Sequence, residues 1–416
     1  MFDDASVGTS GPGIEMGCHL VRPPIDRRRF LAYASAMPLL GAGHHALAGQ
    51  LELATQSATD VPAIDVRKHG AIGDGVANDR RAIQRVLDNF VTGGGVVTFP
   101  PGTYNLGDCA QETLLRLSGA RGIRLIGRGA TLICNSVTKS VSRIFDVIGC
   151  SNITFEGLSF RDTGLDIDVT WKGAIAIALT STDTSATRDI RIIDVKCNSV
   201  LSGVTCTTPG LRTSNIHIRN LRLLNSYYGI SCQNNGDRLV AEDVVCENLR
   251  RSYFVYGCSD HVASIASINN VTGSNDVIIH SSTRDTADID LTVVSRGKTH
   301  GEAIIQLSHE TVAGGRMIRN VRLKLDIETS ARRLPYAVAF WHRNQGERKF
   351  EEITKNRWDG IALRGRIITG PDTVPVAVLS RPEISGTLEI ASDFFTSSSN
   401  LRLEGFKVSQ PKGKSV

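Results

Sequence analysis

Apolar and polar residues alternate in short runs over most of the chain after residue 110, and short polar turns separate these runs. A period of two residues predicts β-strands that place one face inside and the other outside. Similar segments recur at 151–160, 188–197, 214–223, 237–246 and 287–296. Their leading apolar positions are Ile153, Ile190, Ile216, Leu239 and Ile289, with Ala263 filling the gap before the last. From Ile190 onward these positions lie 23–26 residues apart, and a strand-only repeat of this length indicates a β-solenoid.

A second family of strands follows the first in each repeat, at 173–180, 202–208, 228–234, 252–258, 276–282, 302–308 and 337–343. Adjacent coils stack about 4.8 Å apart, so residues distant in sequence become neighbours on one face. The expected inward column is Ile177, Cys206, Cys232, Tyr256, Ile279, Ile305 and Phe340. The expected outward column is Ala178, Thr207, Gln233, Gly257, His280, Gln306 and Trp341.

Residues 62–105 carry a different pattern, in which a strand, a glycine turn, a helix and further strands follow one another. Gly70, Gly73 and Gly75 permit a tight turn, and Asn78 or Asp79 can cap the helix. The helix has one apolar stripe, formed by Ala82, Ile83, Val86, Leu87 and Phe90. A short amphipathic helix of this kind can cover the open strand edge at the end of a solenoid.

This segment resembles the N-terminal signature of the pectate lyase superfamily, in its rhamnogalacturonase/epimerase-like group, which is related to glycoside hydrolase family 28. The matching stretches are His69–Gly75, Asn78–Asp79, Ala82–Ile83 and Phe99–Tyr104. The resemblance implies an all-β fold, a right-handed single-stranded parallel β-helix of roughly ten coils with an N-terminal capping helix. The glycine spacing G-x-x-G-x-G, with no βαβ unit after it, does not favour nucleotide binding.

The first 48 residues resemble an export leader. Asp26–Leu31 resembles the twin-arginine signature, Phe30–Gly43 is an apolar run too short to span a membrane, and Ala46–Ala48 fits a cleavage site. We therefore expect recognition by the twin-arginine export machinery, a periplasmic or secreted location and no stable membrane anchor. The start is either Met1 or Met16. The expected divisions are a leader over 1–48, a linker over 49–61, the cap and first coil over 62–107, β-helix repeats over 108–409 and a tail over 410–416.

Charge and cysteine content exclude several classes of protein. The net charge is +5, too small to indicate a nucleic-acid partner. Residues 332–366 hold nine basic and four acidic residues, and this basic end is either a surface for a polyanion or a set of solvated loops.

The nine cysteines include no C-x-x-C pair, so neither a metal nor another cofactor is expected. Cys206 and Cys232 are expected on adjacent coils, either as stacked thiols or as a disulfide. The chain is either a monomer or an oligomer of unknown size.

The leading catalytic hypothesis concerns two carboxylates on the outward face. Asp276 and Glu302 begin successive strands, which predicts an acid/base pair one coil apart, with His280 assisting. The expected substrate-binding residues are Gln233, Gln306, Trp341 and Arg343, since an exposed indole ring stacks well on a sugar. The alternative is that these residues are strand-edge charges and ordinary surface side chains.

A second set consists of Arg251, Tyr253 and His261, at loops flanking the same face. In a lyase or epimerase a cation neutralises the uronate carboxylate while a tyrosine or histidine moves the proton at C5. Further candidates of lower rank are Asn234, Asn235, Asp237, Arg250 and Asp260 beside this set, His300, His309 and Glu310 near loops, and Asp166, Asp168, Trp171 and Lys172 on an insertion. Asn225 and Asn248 are expected to form a turn ladder.

Polygalacturonase-type hydrolases carry clustered aspartates, a Gly-His-Gly and an Arg-Ile-Lys, and this sequence lacks all three. The expected function is an exported enzyme that cleaves a polysaccharide, most plausibly one containing uronate, with hydrolysis as the leading reaction. The alternatives are a polysaccharide lyase or C5-epimerase, and a non-catalytic glycan-binding surface protein, because the N-terminal signature only builds the coil.

Overall fold

The computed structural model describes residues 63–89, 93–109, 113–136, 141–165, 172–207, 210–270, 275–281, 283–310, 315–330, 334–343, 356–379 and 386–409. The side chains of Thr207, Glu310, His342 and Arg343 are not among the described parts. The predicted leader and linker, Phe90 of the helix stripe, and Asp166, Asp168 and Trp171 of the insertion also lie outside the described residues.

The described residues form a right-handed parallel β-helix, as the alternating pattern predicts. Its ten-stranded sheet, here called sheet I, takes one strand from each coil and agrees with the expected number of coils. The strands of sheet I are β5 (Thr113–Ser118), β8 (Val141–Ile148), β11 (Gly173–Thr180), β14 (Ser202–Thr207), β17 (Tyr228–Gln233), β19 (Arg251–Tyr256), β21 (Val277–Ser281), β23 (Ala303–Glu310), β25 (Tyr336–Arg343) and β27 (Val374–Val378).

The second sheet, sheet II, forms the rest of the coil and also pairs in parallel. Its strands are β1 (Ala63–Asp65), β2 (Asp74–Asn78), β3 (Gly95–Thr98), β4 (Gly102–Asp108), β6 (Arg121–Ile126), β7 (Ala130–Asn135), β9 (Ser151–Glu156), β10 (Ser159–Asp162), β12 (Arg188–Ile193), β13 (Lys196–Asn198), β15 (Ser214–Arg219), β16 (Arg222–Leu224), β18 (Asp237–Glu247), β20 (Ser259–Ile268), β22 (Thr286–Arg296), β24 (Met317–Glu328), β26 (Arg357–Ile368), β28 (Gly386–Ile390), β29 (Phe395–Thr396) and β30 (Phe406–Ser409). A 3₁₀-helix spans Val66–His69, and helix α1 spans Arg80–Asp88.

Helix α1 covers the free edge of sheet I through its polar side chains as well as its apolar stripe. Gln84 accepts a hydrogen bond from the backbone N–H of Arg116 (2.8 Å) and donates one to the carbonyl oxygen of the same residue (2.9 Å). The guanidinium of Arg80 donates to the carbonyls of Thr113 and Leu114, both at 2.8 Å. The first strand of sheet I therefore has partners on the side where another chain could otherwise pair.

The apolar ladder of sheet II follows the predicted repeat with one exception. Ile153, Ile190, Ile216 and Leu239 pair in succession, and Ile289 lies in the same column. Ala263 was the wrong residue for this column, because His261 pairs with both Leu239 and Ile289. A buried histidine thus replaces an aliphatic side chain inside the coil.

The columns of sheet I match the prediction for about half of its residues. Cys206, Cys232, Ile279 and Phe340 share one inward column with Val255 and Leu307. Ile177 and Ile305 are also buried but pair in the column two positions earlier. The placement of Tyr256 was wrong by one residue, because Val255 is the residue that pairs with Cys232, while Tyr256 pairs with Gln233. The outward column is Thr180, Gln233, Tyr256, His280, Ser308 and Trp341, so Ala178, Gly257 and Gln306 do not belong to it. The backbone of Thr207 pairs with that of Thr180.

Among the described residues other than glycine, left-handed backbone positions are mostly filled by asparagine and aspartate, whose short side chains tolerate this conformation. The predicted ladder of Asn225 and Asn248 is confirmed, with φ of 51° and 58° and a 2.5 Å hydrogen bond from Nδ2 of Asn248 to Oδ1 of Asn225. Another ladder includes Asn215 (φ 56°), Arg238 (φ 53°) and Asp260 (φ 59°). Arg238 is the exception there, because a long side chain in this conformation is strained.

We expect Arg238→Asn to raise the free energy of unfolding by about 1 kcal/mol, since asparagine relieves this strain. Denaturant titration of both proteins measures the difference. Arg219→Asn is the matched control, because Arg219 lies exposed in strand β15, where asparagine has no advantage. A variant at position 238 no more stable than the wild type would contradict the argument.

All eight cysteines from Cys109 to Cys258 are buried and free. Cys206 and Cys232 pair on adjacent strands as predicted, and of the two predicted alternatives the structure has thiols. Burial raises the pKa of the Cys150 thiol to about 11 and that of Cys246 to about 12, so both remain protonated at neutral pH. Within the described ranges, no helix has the length and apolar character needed to cross a membrane.

Candidate functional site

The outward face of sheet I carries a strip of aromatic and basic side chains over strands β17, β19 and β21. The rings of Tyr228 and Phe254 stack with centroids 5.7 Å apart, and Phe254 lies 5.6 Å from Tyr256. The guanidinium of Arg251 lies over Phe254 (5.3 Å) and Tyr228 (5.6 Å) and donates a hydrogen bond to the Tyr228 hydroxyl at 3.1 Å. All four side chains are partly exposed. We call these residues, together with His280, the sheet I strip.

His280 continues the strip into the next coil. Its ring lies 6.1 Å from that of Tyr256, at an interplanar angle of 82°. Nδ1 of His280 is 2.7 Å from the hydroxyl of Ser308, which also accepts a hydrogen bond from Gln306. His280 is only 6 % exposed. The hydrogen bonds that link Gln306, Ser308 and His280 therefore fix the orientation of the imidazole. A group that exchanges a proton with a substrate requires such a fixed orientation.

Burial determines the protonation state of one tyrosine hydroxyl of this site, that of Tyr228. The pKa of Tyr228 is raised, chiefly by burial, although the nearby Arg251 lowers it in part. Tyr228 therefore carries its proton at neutral pH and can donate it. Tyr256 donates a 3.0 Å hydrogen bond to Gln233, a predicted substrate-binding residue, and Gln233 donates to Ser231 at 3.1 Å.

A pocket of about 240 Å³ lies on the same face, toward the C-terminal coils. Its walls include the rings of Tyr336 and Trp341, the apolar side chains of Ala339 and Leu379, and Glu302. Gln306 also lines it, held by hydrogen bonds with Asn275 and Ser308. The structure thus brings together Glu302, Gln306 and Trp341, as the sequence predicts. The side chain of Arg343 lies outside the described parts.

A larger hollow of about 800 Å³ lies beside helix α1 and is lined by Asn78, Arg80, Arg81, Gln84, Thr113, Leu114 and Arg116. Arg80 and Gln84 are the residues that bind the edge of sheet I. These side chains serve to end the coil, and the hollow lacks the aromatic surface of the sheet I strip.

The predicted carboxylate pair of Asp276 and Glu302 does not form, and this part of the hypothesis was wrong. Asp276 is completely buried, and its carboxylate lies 3.0 Å from the ammonium of Lys298 and accepts a 2.9 Å hydrogen bond from Ser295. Glu302 is exposed. The prediction assumed strict alternation of faces, so that Asp276, four residues before His280, would lie on the same outward face. Asp276 and the next residue, Val277, are both buried inside the coil, so the alternation does not hold there.

The second predicted set, Arg251, Tyr253 and His261, is also split between the surface and the interior. Tyr253 and His261 are both completely buried, and the Tyr253 hydroxyl lies 2.5 Å from Nδ1 of His261. Nε2 of His261 lies 2.5 Å from the carbonyl oxygen of Gly236, to which it donates. Burial raises the pKa of Tyr253 well above its usual value. A substrate on the surface cannot reach this pair, so of the second set only Arg251 faces the candidate site.

Burial also lowers the pKa of His261 below its usual 6.5, although the bond to Gly236 raises it in part. The unfolded chain takes up a proton as the pH falls through about 6.5, while the folded protein keeps His261 neutral to a lower pH. We therefore expect the contribution of His261 to stability to be full above this pH and to fall below it.

The His261→Leu variant should have a lower free energy of unfolding than the wild type at pH 8. It should lose less of that free energy on acidification, as measured by denaturant titration between pH 8 and pH 5. His69→Gln, at an exposed histidine, should keep the wild-type slope; an unchanged slope in His261→Leu would contradict the argument.

The remaining predicted residues have structural partners. Asn235 accepts hydrogen bonds from Thr213 and Gly236, and Asp237 pairs with Arg212. His309 is buried beside Ser281 and packs on Trp358 with ring centroids 4.5 Å apart. Other residues of this group are Asn234 and Asp260 at left-handed turn positions, Arg250 over the ring of Tyr227, and His300 beside Thr299. Within the described part of the chain, no cluster of three potential metal ligands occurs.

The prediction missed Tyr228, Phe254, Tyr256 and Tyr336. Their signal was present as aromatic residues recurring near the ends of sheet I strands, but Tyr256 was assigned to the interior. The protein is therefore a parallel β-helix that carries an aromatic and basic strip on the outer face of sheet I.

Comparison with known families confirms this class and refines it. A family model described as rhamnogalacturonase A/epimerase, pectate lyase-like, matches residues 63–289, more than half of the chain. The protein belongs to this family, as its N-terminal signature predicts.

Several solved structures are similar to this chain at low sequence identity. The endo-xylogalacturonan hydrolase of Aspergillus tubingensis is 13% identical, with a TM-score of 0.54, over 84% of this chain and 99% of the other. The mannuronan C-5 epimerase AlgE4 A-module of Azotobacter vinelandii is 17% identical, with a TM-score of 0.43, over 84% and 97%. The exopolygalacturonase of Thermotoga maritima is 13% identical, with a TM-score of 0.46, over 85% and 91%.

One curated protein matches only a short stretch. Plasmin and fibronectin-binding protein A of Streptococcus pneumoniae is 50% identical over 44 residues, which are 10% of this chain and 6% of that protein. A match this short concerns one segment and leaves the rest of both chains uncompared.

Proposed function

We propose that this protein is an exported carbohydrate-active enzyme that moves the C5 proton of a uronate residue within a polysaccharide, as a lyase or a C5-epimerase. The observation that carries the proposal is the position of Arg251 on the outer face, held by two aromatic rings and followed by Tyr256 and His280. Fixed, planar guanidinium groups bind carboxylates through paired hydrogen bonds. Binding of the uronate carboxylate by Arg251 would make the C5 proton more acidic.

The neighbouring groups can carry that proton. His280 accepts the C5 proton, and a protonated tyrosine, Tyr228 or Tyr256, donates one. If the donated proton goes to the oxygen leaving C4, the C4–O bond breaks and an unsaturated uronate forms. If it returns to the opposite face of C5, the sugar is epimerised. None of the outward residues of strands β17, β19 and β21 is acidic, so a pair of carboxylates for hydrolysis does not occur in this strip.

Hydrolysis is the second candidate, favoured by Glu302 in a pocket with Tyr336 and Trp341. A carboxylate beside aromatic walls suits the binding of a sugar. Because Asp276 is buried, it cannot be the second carboxylate that an acid/base pair with Glu302 requires.

One experiment separates these functions. The mature chain, residues 49–416, is incubated in deuterated buffer with polymers of galacturonate, mannuronate, guluronate and glucuronate. We expect the original C5 proton to be lost. An epimerase leaves deuterium at C5, which NMR detects, whereas a lyase forms a C4=C5 double bond, which absorbs in the ultraviolet and carries no hydrogen at C5. New reducing ends with neither deuterium at C5 nor ultraviolet absorbance would instead assign hydrolysis. Binding without any reaction would assign a glycan-binding surface protein and overturn the proposal.

Export is a separate part of the proposal and rests on the twin-arginine-like segment Asp26–Leu31. Fractionation of a bacterium that expresses the full chain should find the processed protein outside the cytoplasm. Replacement of Arg27 and Arg28 by lysine should retain the precursor inside, and unchanged export would contradict this part.

A further inference from the structure

The pocket at Glu302 differs from the sheet I strip in both size and charge. Its volume of about 240 Å³ is below the roughly 300–1,000 Å³ of pockets that bury a drug-sized ligand, so it suits one sugar ring. Tyr336 and Trp341 offer ring faces for the C–H groups of a sugar, and the other walls are mostly apolar. The charged side chain among its described lining residues is Glu302, an acid.

The pocket lies at a fixed distance from Arg251 along the same face. Arg251 and Ala303, the residue after Glu302, occupy corresponding positions two strands apart, because Tyr253 pairs with Val277 and Val277 with Ile305. Two strand spacings are about 10 Å, which is comparable with the length of two sugar units. A polysaccharide bound at Arg251 and running along the coil axis would therefore place another residue at the pocket.

The outward column connects the two places without a break. Tyr256 pairs with His280, His280 with Ser308, and Ser308 with Trp341. Gln306 contacts the chain of hydrogen bonds at His280 through Ser308 and also lines the pocket. The pocket is thus an extension of the same surface.

We propose that this pocket is a subsite for an uncharged sugar ring and that Glu302 is its specificity-determining residue. This inference rests on the proposed function. A uronate at this place would bring its carboxylate close to that of Glu302, whereas a neutral sugar would donate hydroxyl hydrogen bonds to it. Like-charge repulsion of this kind selects against the wrong ligand. The substrate is therefore a polysaccharide in which uronate and neutral sugars occur together, and a homopolymer of uronate binds less well.

The test measures affinity by isothermal titration calorimetry with two oligosaccharides of equal length. One is an oligogalacturonate, and the other contains galacturonate alternating with a neutral hexose. The wild-type chain is expected to prefer the mixed oligosaccharide. Glu302→Gln, which keeps the size of the side chain, is expected to bind the oligogalacturonate about tenfold more tightly, because one repulsive contact is removed. The gain should shrink at high salt.

Two further variants complete the design. Glu389→Gln removes an exposed acid from sheet II and should change neither affinity. Trp341→Phe keeps a ring in the pocket and should weaken the mixed oligosaccharide only modestly, whereas Trp341→Ala should weaken it about tenfold.

The outcomes separate this inference from the proposed function. If Glu302→Gln leaves the ratio of the two affinities unchanged while Arg251→Ala weakens both ligands, the subsite is wrong and the proposed uronate site stands. If the wild-type chain binds neither ligand, the subsite is wrong, and the reactions with the other uronate polymers decide the proposed function. If Arg251→Ala changes neither affinity, the proposed uronate site fails and the subsite fails with it.

Discussion

Replacing Lys298 by methionine is expected to lower the free energy of unfolding by about 3–5 kcal/mol. Lys298 is 1 % exposed and Asp276 is completely buried, and their charged atoms lie 3.0 Å apart inside the coil. Methionine fills the space but leaves the carboxylate buried without its cation, and an uncompensated buried charge is far more costly than the pair is favourable. Denaturant titration at neutral pH measures the loss.

The double variant Asp276→Asn/Lys298→Met should recover most of this stability, because the introduced amide has no charge and can still accept the hydrogen bond from Ser295. Lys324→Met is the matched control, at an exposed lysine on the outside of sheet II, and should stay within about 0.5 kcal/mol of the wild type. A Lys298→Met variant as stable as this control would show that the ion pair is dispensable. Since Asp276 faces the interior, the folded double variant should also keep its activity.

The Arg251→Ala variant is expected to slow the reaction at C5 by a factor of about 100 or more, measured as deuterium incorporation for an epimerase or as ultraviolet absorbance for a lyase. Charge-assisted hydrogen bonds to a substrate carboxylate that gains negative charge in the transition state have effects of this size. The side chain is partly exposed and lies on the rings of Tyr228 and Phe254, so its removal should not unfold the coil. Initial rates of the C5 reaction at saturating substrate, together with KM, measure the effect.

Arg251→Lys should recover only part of the activity, because an ammonium keeps the charge but not the planar pair of donors. Arg364→Ala is the control for a general loss of positive charge, since Arg364 is exposed on sheet II and should leave the rate unchanged. Equal losses in Arg251→Ala and Arg364→Ala would mean that the net charge of the protein, rather than this site, attracts the substrate.

Much of the architecture could be predicted because the β-helix repeats a local pattern. The period of two places Ile153, Ile190 and Ile216 on one inward ladder, and the structure pairs them. Asparagines at the turns indicated left-handed positions, since few other residues adopt them without strain. The capping helix was also predictable, although the hydrogen bonds of Arg80 and Gln84 to the strand edge were not.

The candidate site was less predictable because its residues come from several coils whose turns differ in length. An offset of one residue at Tyr256 moved an exposed ring into the expected core. Another irregularity, at Asp276 and Val277, moved an expected catalytic carboxylate out of the site. Because side chains alternate between the two faces of a strand, an error of one residue in the register assigns every following residue to the wrong face.

The sequence by itself determined the fold family, the inward and outward faces of most strands, the cap, and the face of the coil where chemistry was expected. Only the tertiary structure decided which polar residues are inside. His261 occupies an aliphatic position because Tyr253 and the carbonyl of Gly236 satisfy its two nitrogens, and Asp276 is buried because Lys298 and Ser295 reach it. Periodicity is a property of neighbours along the chain, whereas a buried polar group depends on partners from other strands and coils, and no local pattern specifies them.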